Sequence, residues 1–181
     1  MFEYLWNMYF NVSFAMLPFT YMVLDEDIFM NDVRPYCIHY INFYYILDGL
    51  WELLYHKRTI YIPHHVCSMI LVSCAYNTYY SYEEIKTMFF VFALLEYTSL
   101  FVNIRTILKK FNKLELWFDC LMYLQYVYIR CILYTSISYN SLLTVLPIIP
   151  NIGNISLIAM SYYWVFLWTN TLIAQFDKKY Q

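Results

Sequence analysis

Residues 87–108, TMFFVFALLEYTSLFVNIRTIL, form a long apolar run that is interrupted by Glu96, Asn103 and Arg105. A helix needs about 20 predominantly apolar residues to cross a bilayer. Runs of comparable length recur along the whole chain. The sequence therefore predicts an all-α fold, a polytopic membrane bundle with six transmembrane helices in one domain over residues 1–181. The predicted spans are 4–24, 36–56, 63–80, 86–108, 116–137 and 153–175.

The composition supports a membrane protein and argues against other classes. Charged residues make up 13% of the chain, whereas a soluble domain has about 25%. The net charge of −2 and the lack of a basic cluster argue against a nucleic-acid partner. The five cysteines have no paired spacing, so we expect neither a disulfide framework nor a metal site.

The basic residues predict how the chain crosses the membrane. Lys and Arg are enriched in cytoplasmic loops, and here they alternate from loop to loop. One side has eight: Lys57, Arg58, Arg105, Lys109, Lys110, Lys113, Lys178 and Lys179. The other side has Arg34 and Lys86. This pattern predicts that both termini are cytosolic.

The last residues of the chain suggest a location. Lys178 and Lys179 stand just before the terminal Tyr180-Gln181, which is typical of a di-lysine retrieval signal for the endoplasmic reticulum. Such signals are addresses that a receptor reads, so coat-protein recognition of the two lysines is expected. The alternative is that they serve only as cytosolic topology determinants.

Several ionisable residues lie inside the predicted spans. Each costs about 2.5–3.5 kcal/mol at mid-bilayer on insertion scales, so we expect them to face the bundle interior. Helical spacing puts them on three polar faces. These are Asp48, Glu52 and His56; Glu96, Ser99 and Asn103; and Asp119, Tyr123, Tyr126 and Arg130. The pattern predicts a polar cavity between the helices, although groups that merely pair to hold helices together would give the same pattern.

Two adjacent histidines, His64 and His65, follow Pro63 at the predicted cytosolic end of the third span. Glu52 on the preceding helix is expected at nearly the same level, with Asp48 about 6 Å deeper. A carboxylate beside a histidine orients the ring and makes it a better base. We therefore predict His64, His65, Asp48 and Glu52 as a catalytic set. Simple residence at the membrane interface is the alternative for the two histidines.

These residues resemble the TLC-domain family of membrane proteins, which includes the ceramide synthases. The resemblance is carried by Asp48, the histidine pair and the segment EYTSLFVNIR at residues 96–105, with Arg130 in the next span. Leu100 stands where the family usually has proline. The His-Asp and further Asp of the ceramide synthases have no counterpart, so the chain looks closer to the smaller TLC-domain proteins.

The resemblance implies a protein that acts on membrane lipids. One hypothesis is acyl transfer from acyl-CoA, as a co-substrate without a bound cofactor, to a lipid amine or hydroxyl. Residues expected to bind the substrate are Glu96, Ser99, Asn103, Arg105, Asp119 and Arg130. The alternatives are a non-catalytic protein of lipid binding or lipid homeostasis and a trafficking factor of the endoplasmic reticulum. Catalysis and homo-oligomerisation are left open at this stage.

Overall fold

Six helices form the fold in the computed structural model, which describes residues 6, 8–13, 16, 24–56, 61–76 and 79–180. No strand occurs among these residues, and the predicted all-α class is confirmed. We label the helices α1 (residues 8–13), α2 (Arg34–Trp51), α3 (Tyr61–Cys74), α4 (Tyr82–Lys110), α5 (Leu116–Val145) and α6 (Ile148–Tyr180). A helical turn, Glu26–Ile28, precedes α2.

Three helices in the described part of the chain are long and apolar enough to cross a membrane: Tyr82–Lys110, Leu116–Val145 and Ile148–Asp177. The stretch Ile62–Cys74 is apolar but shorter. Many large apolar side chains are exposed, among them Tyr36, Trp117 and Tyr139, as a bilayer environment requires. Most of the predicted first span and both Lys57 and Arg58 lie outside the described residues, as do the side chains of His56, Lys178 and Lys179.

The turn between α3 and α4 differs from its predicted position. α3 ends at Cys74, whereas the predicted span continued to residue 80. Ser81 then caps α4 through a capping box in which Ser81 and Glu84 satisfy each other's backbone amides. This arrangement stabilises a helix start. It therefore fixes the beginning of α4 four residues before the predicted span.

The connection between α5 and α6 is shorter than the predicted loop at 138–152. α5 continues to Val145, and only Leu146 and Pro147 separate it from α6. Leu146 has an extended backbone with ψ 141°, because the ring of a proline disfavours helical geometry at the preceding residue. Residues 138–145 continue the helix up to this point instead of forming a loop.

Four π-helical turns flank or interrupt the regular helices in the described part of the chain: Phe29–Val33, Glu52–His56, Val127–Leu133 and Ser138–Leu142. Such turns are rare and are frequently found at functional sites. A π turn contains more residues than an α turn, so it rotates the following side chains relative to the α-helical pattern. Two of these turns contain an ionisable residue that was predicted to line the cavity, Glu52 and Arg130.

Packing brings α3 against α2 and α6, and α5 against α4 and α6. Aromatic and aliphatic side chains from α2 to α6 form one large buried cluster, and a smaller one lies between α5 and α6. A polar contact joins α5 to α6 within this packing. Tyr134 and Ser138 donate hydrogen bonds to Oδ1 of the fully buried Asn154, at 2.6 and 3.2 Å. These hydrogen bonds join the end of α5 to the beginning of α6, on either side of the short turn.

Candidate functional site

A cavity of about 140 Å³ lies between the helices. Eight of the ten residues predicted as catalytic or substrate-binding are among those that line it: Asp48, Glu52, His64, His65, Glu96, Ser99, Asn103 and Arg130. Tyr44, Tyr45, Tyr126 and Trp164 are among the other lining residues. Side chains from α2 to α6 thus converge on one space, although they are far apart in the sequence.

The contact between α2 and α3 in this cavity joins Asp48 to His65. Asp48 Oδ2 lies 3.2 Å from His65 Nε2, and both side chains are buried. Neither ring nitrogen of His65 makes a hydrogen bond of good geometry with the described residues, so the contact with Asp48 is one of close charge and not of an aligned hydrogen bond. Glu52 was expected at the level of the histidines, but Asp48, one turn deeper, makes the contact. A carboxylate on one nitrogen leaves the other nitrogen of the ring available for proton transfer.

Tyr45 connects this pair to α4. Its ring centroid lies 5.2 Å from that of His65, and its hydroxyl donates a hydrogen bond to Glu96 Oε1. Tyr45 is fully buried. This tyrosine was not among the residues predicted from the sequence, although Tyr45, Asp48 and Glu52 have the i, i+3, i+7 spacing of one helix face. That spacing is the signal that would have found it.

His64 differs from its neighbour in exposure and contacts. It is half-buried and lines the cavity, and its ring centroid is 5.6 Å from that of His65. Adjacent residues on a helix point about 100° apart, but here both rings reach the same cavity. The site therefore offers one histidine paired with a carboxylate and a second one beside it.

Arg130 reaches the cavity from the π turn of α5. Its Nε donates to Thr98 Oγ1 at 2.5 Å, and its Nη2 donates to Leu95 O at 2.6 Å and Ser99 Oγ at 3.1 Å. All three acceptors belong to α4 and are uncharged. These hydrogen bonds anchor the guanidinium to α4, and Arg130 lines the cavity.

Arg105 and Asp119 were predicted to bind substrate in the same cavity, and the structure instead places them outside its lining. Arg105 Nε lies 2.6 Å from Asp119 Oδ1, and its Nη2 donates to Oδ2 at 3.1 Å. Trp168 Nε1 and Gln175 Nε2 donate to the same carboxylate at 2.8 and 3.3 Å. Asp119 precedes Arg130 by three helical turns, about 16 Å along the axis. Because of this separation, Arg130 lines the cavity whereas Asp119 lies outside it, although both were predicted on one helix face.

No group of three or more His, Cys, Asp or Glu side chains is arranged to hold a metal ion in the part of the chain that the structure describes. The side chains that line the cavity supply imidazole, carboxylate, hydroxyl and guanidinium groups. Such a set can move a proton, orient a base and stabilise a negative charge.

Comparison with known proteins identifies the class. The sequence model of the TLC domain matches residues 2–170, and the chain belongs to this family. The suspected resemblance is thereby confirmed. The curated proteins and the solved structures gave no match to the chain. Family membership indicates a membrane protein with a lipid-related function.

Proposed function

We propose that the protein transfers an acyl group from acyl-CoA to an amine or hydroxyl group of a membrane lipid. The observation that carries this proposal is the buried Asp48–His65 contact, 3.2 Å long, on the wall of a cavity that His64 and Arg130 also line. A base, an orienting carboxylate and a cation in one cavity are the groups that acyl transfer uses.

His65 is the general base in this mechanism, and Asp48 is its positioning residue. Asp48 holds the Nε2 side of the ring, so the proton of the acceptor amine or hydroxyl moves to Nδ1. The acceptor atom then forms a bond to the thioester carbon, and the carbon–sulfur bond breaks. The departing thiolate takes the proton from His65 and leaves as the CoA thiol. The base is neutral again, and no external oxidant or reductant is needed.

The size of the cavity limits what it can contain. An engineered protein cavity of about 150 Å³ holds a benzene molecule. The present cavity has a similar volume, about 140 Å³. The thioester and the acceptor atom fit this space, whereas a complete acyl chain does not. The hydrocarbon would therefore lie outside the cavity, along the apolar surfaces of the helices and the bilayer.

The proposed location is the endoplasmic reticulum membrane, with both termini in the cytosol. The support is the alternation of basic loops and the di-lysine pair, Lys178 and Lys179, near the end of the chain. A cytosolic tail would present these lysines to a coat protein. Imaging of the tagged wild-type chain tests this location, and accumulation in another membrane would contradict it.

The decisive experiment removes both histidines. Membranes from cells that express the wild-type chain or the His64→Ala/His65→Ala variant are given radiolabelled palmitoyl-CoA, and labelled lipids are measured by chromatography and mass spectrometry. Loss of the base should reduce the labelled product on the order of a hundredfold or more. His39→Ala is the matched control, since His39 is exposed on α2 and does not line the cavity.

Folding of each variant is checked by size-exclusion chromatography in detergent. A folded double variant that makes as much product as the wild type would rule out catalysis by this pair. A wild-type chain that binds labelled lipid but forms no product would instead support the non-catalytic lipid-binding alternative.

A further inference from the structure

Arg130 has donor groups that the protein itself does not use. Only 5% of the residue is exposed, and its three hydrogen bonds engage Nε and Nη2. Nη1 carries two N–H groups and has no hydrogen-bond partner among the described residues. Because Arg130 lines the cavity, these donors are positioned for a bound molecule.

The charge of Arg130 is also not paired with a carboxylate in the described part of the chain. Its bonded partners are Thr98, Ser99 and the carbonyl of Leu95, whereas Arg105 has Asp119. Glu96 is near enough for an electrostatic interaction with Arg130, but it accepts a hydrogen bond from Tyr45. An oxygen acceptor bound in the cavity would therefore complete the shell of this cation.

We propose that Nη1 of Arg130 binds the carbonyl oxygen of the acyl donor and stabilises the oxyanion formed during transfer. This inference rests on the proposed acyl transfer. When the acceptor attacks the thioester carbon, the π electron pair of the carbonyl moves to its oxygen. Arg130 holds that negative charge until the carbonyl re-forms and the thiolate leaves. Arg130 contacts the carbonyl oxygen, the atom on which the negative charge develops. It is therefore a second catalytic residue beside His65.

The surroundings favour a carbonyl over a permanently anionic group such as a phosphate. Asp48, Glu52 and Glu96 line the same cavity and would repel a ligand that carries negative charge before the reaction. A neutral thioester avoids this repulsion on binding. Charge appears only at the transition state, where a fixed donor contributes most because it requires no rearrangement.

The position of Arg130 relative to the base agrees with this assignment. Arg130 and His64 interact electrostatically, and the His64 ring lies beside that of His65, with 5.6 Å between the centroids. The cavity thus has a base on its α2–α3 side and a cation on its α4–α5 side. A thioester carbon between them would be attacked from one side while its oxygen points to the other.

The test compares Arg130→Gln and Arg130→Lys with the wild type in the palmitoyl-CoA assay. Loss of one oxyanion donor typically lowers kcat by about 10²–10³-fold, and we expect this for Arg130→Gln with little change in KM. Arg130→Lys keeps the charge but loses the planar fork, so it should retain more kcat than the glutamine variant. Arg34→Gln is the matched control, because Arg34 is a buried arginine that does not line the cavity.

A binding measurement separates this role from a structural one. The thioether analogue of palmitoyl-CoA has a methylene group in place of the carbonyl. It should therefore bind wild type and Arg130→Gln equally, whereas palmitoyl-CoA turnover differs between them. If the glutamine variant does not fold, the lysine variant is judged by the same two measurements.

The outcomes distinguish this inference from the function on which it rests. A wild-type chain without acyl transfer overturns both. An active wild type with full kcat in the folded Arg130 variants overturns only the role of Arg130. An increase in KM at unchanged kcat also overturns it, since Arg130 would then bind an anionic headgroup instead of the reacting carbonyl.

Discussion

Two arginines, the partly buried Arg105 and the buried Arg130, have different surroundings. Arg105 forms a two-pronged ion pair with Asp119, whose oxygens also accept from Trp168 and Gln175. The Arg105 guanidinium additionally lies 4.6 Å above the Trp168 ring. Arg130 has uncharged partners only, and it faces a cavity. The charge of Arg105 is thus paired with a carboxylate, whereas Arg130 has no carboxylate among its hydrogen-bond partners in the described part of the chain.

The difference indicates a division of roles. Arg105 and Asp119 connect α4 to α5, while Trp168 and Gln175 extend the cluster to α6, so this cluster holds three helices together. The residues that line the cavity include His65, neither of whose ring nitrogens has a hydrogen-bond partner among the described residues, and Arg130, whose hydrogen bonds engage Nε and Nη2. Buried polar groups are costly when unpaired, so retaining them in the cavity is consistent with a ligand-binding role.

The largest effect on stability is expected from Asp119→Ala. Removing one member of a buried ion pair costs about 3–5 kcal/mol, because the remaining charge is left without compensation. Thermal unfolding in detergent should show a strongly lowered Tm. Asp32→Asn is the control, since Asp32 is exposed and surface changes stay within about 0.5 kcal/mol. Equal stability of the two variants would show that the Asp119 cluster does not hold the helices.

A smaller effect, on activity and not on stability, is expected from Asp48→Asn. The amide keeps the shape of the side chain but carries no negative charge. It therefore no longer orients the His65 ring or stabilises its protonated form as a carboxylate does. Carboxylates that orient a metal-bound histidine are worth about 10–100-fold, and we expect an effect of the same order here. Turnover of palmitoyl-CoA should fall by that factor at nearly unchanged Tm. A drop in Tm without a change in turnover would show that Asp48 stabilises the fold and does not act in turnover.

The smallest effect is expected from Gln175→Ala. Its hydrogen bond to Asp119 is 3.3 Å long, and Asp119 keeps three other hydrogen bonds from Arg105 and Trp168. A typical hydrogen bond contributes about 0.5–1.5 kcal/mol net, and we expect the lower end. If Gln175→Ala lowers Tm as much as Asp119→Ala, the ion pair is not the centre of the cluster.

Much of the architecture could be predicted from sequence because apolar run length is a direct requirement of the bilayer. The convergence of Asp48, His64 and His65 could also be predicted, since a short connection places their helices side by side. The Arg105–Asp119 pair was missed, although opposite charges near the facing ends of consecutive helices are a usable signal. Asp119 was assigned to the substrate because an α-helical pattern was extended from it through Arg130.

The π turns were not predictable in the same way. They depend on how a helix packs against its neighbours, whereas propensity and periodicity describe the regular helix. The turn Val127–Leu133 contains Arg130 and therefore affects where its guanidinium points. Tyr45 was overlooked for a different reason: with 22 tyrosines in the chain, one more on a polar face carries little information by itself.

The buried position of Asn154 has a consequence for modification of the chain. Asn154-Ile155-Ser156 matches the acceptor pattern for N-linked sugars. Its side chain is fully enclosed, and its oxygen is bound by Tyr134 and Ser138. A glycan is bulky and requires a surface position, so it is incompatible with the packed α5–α6 pair. The folded protein therefore carries no sugar at Asn154, whichever side of the membrane this connection faces.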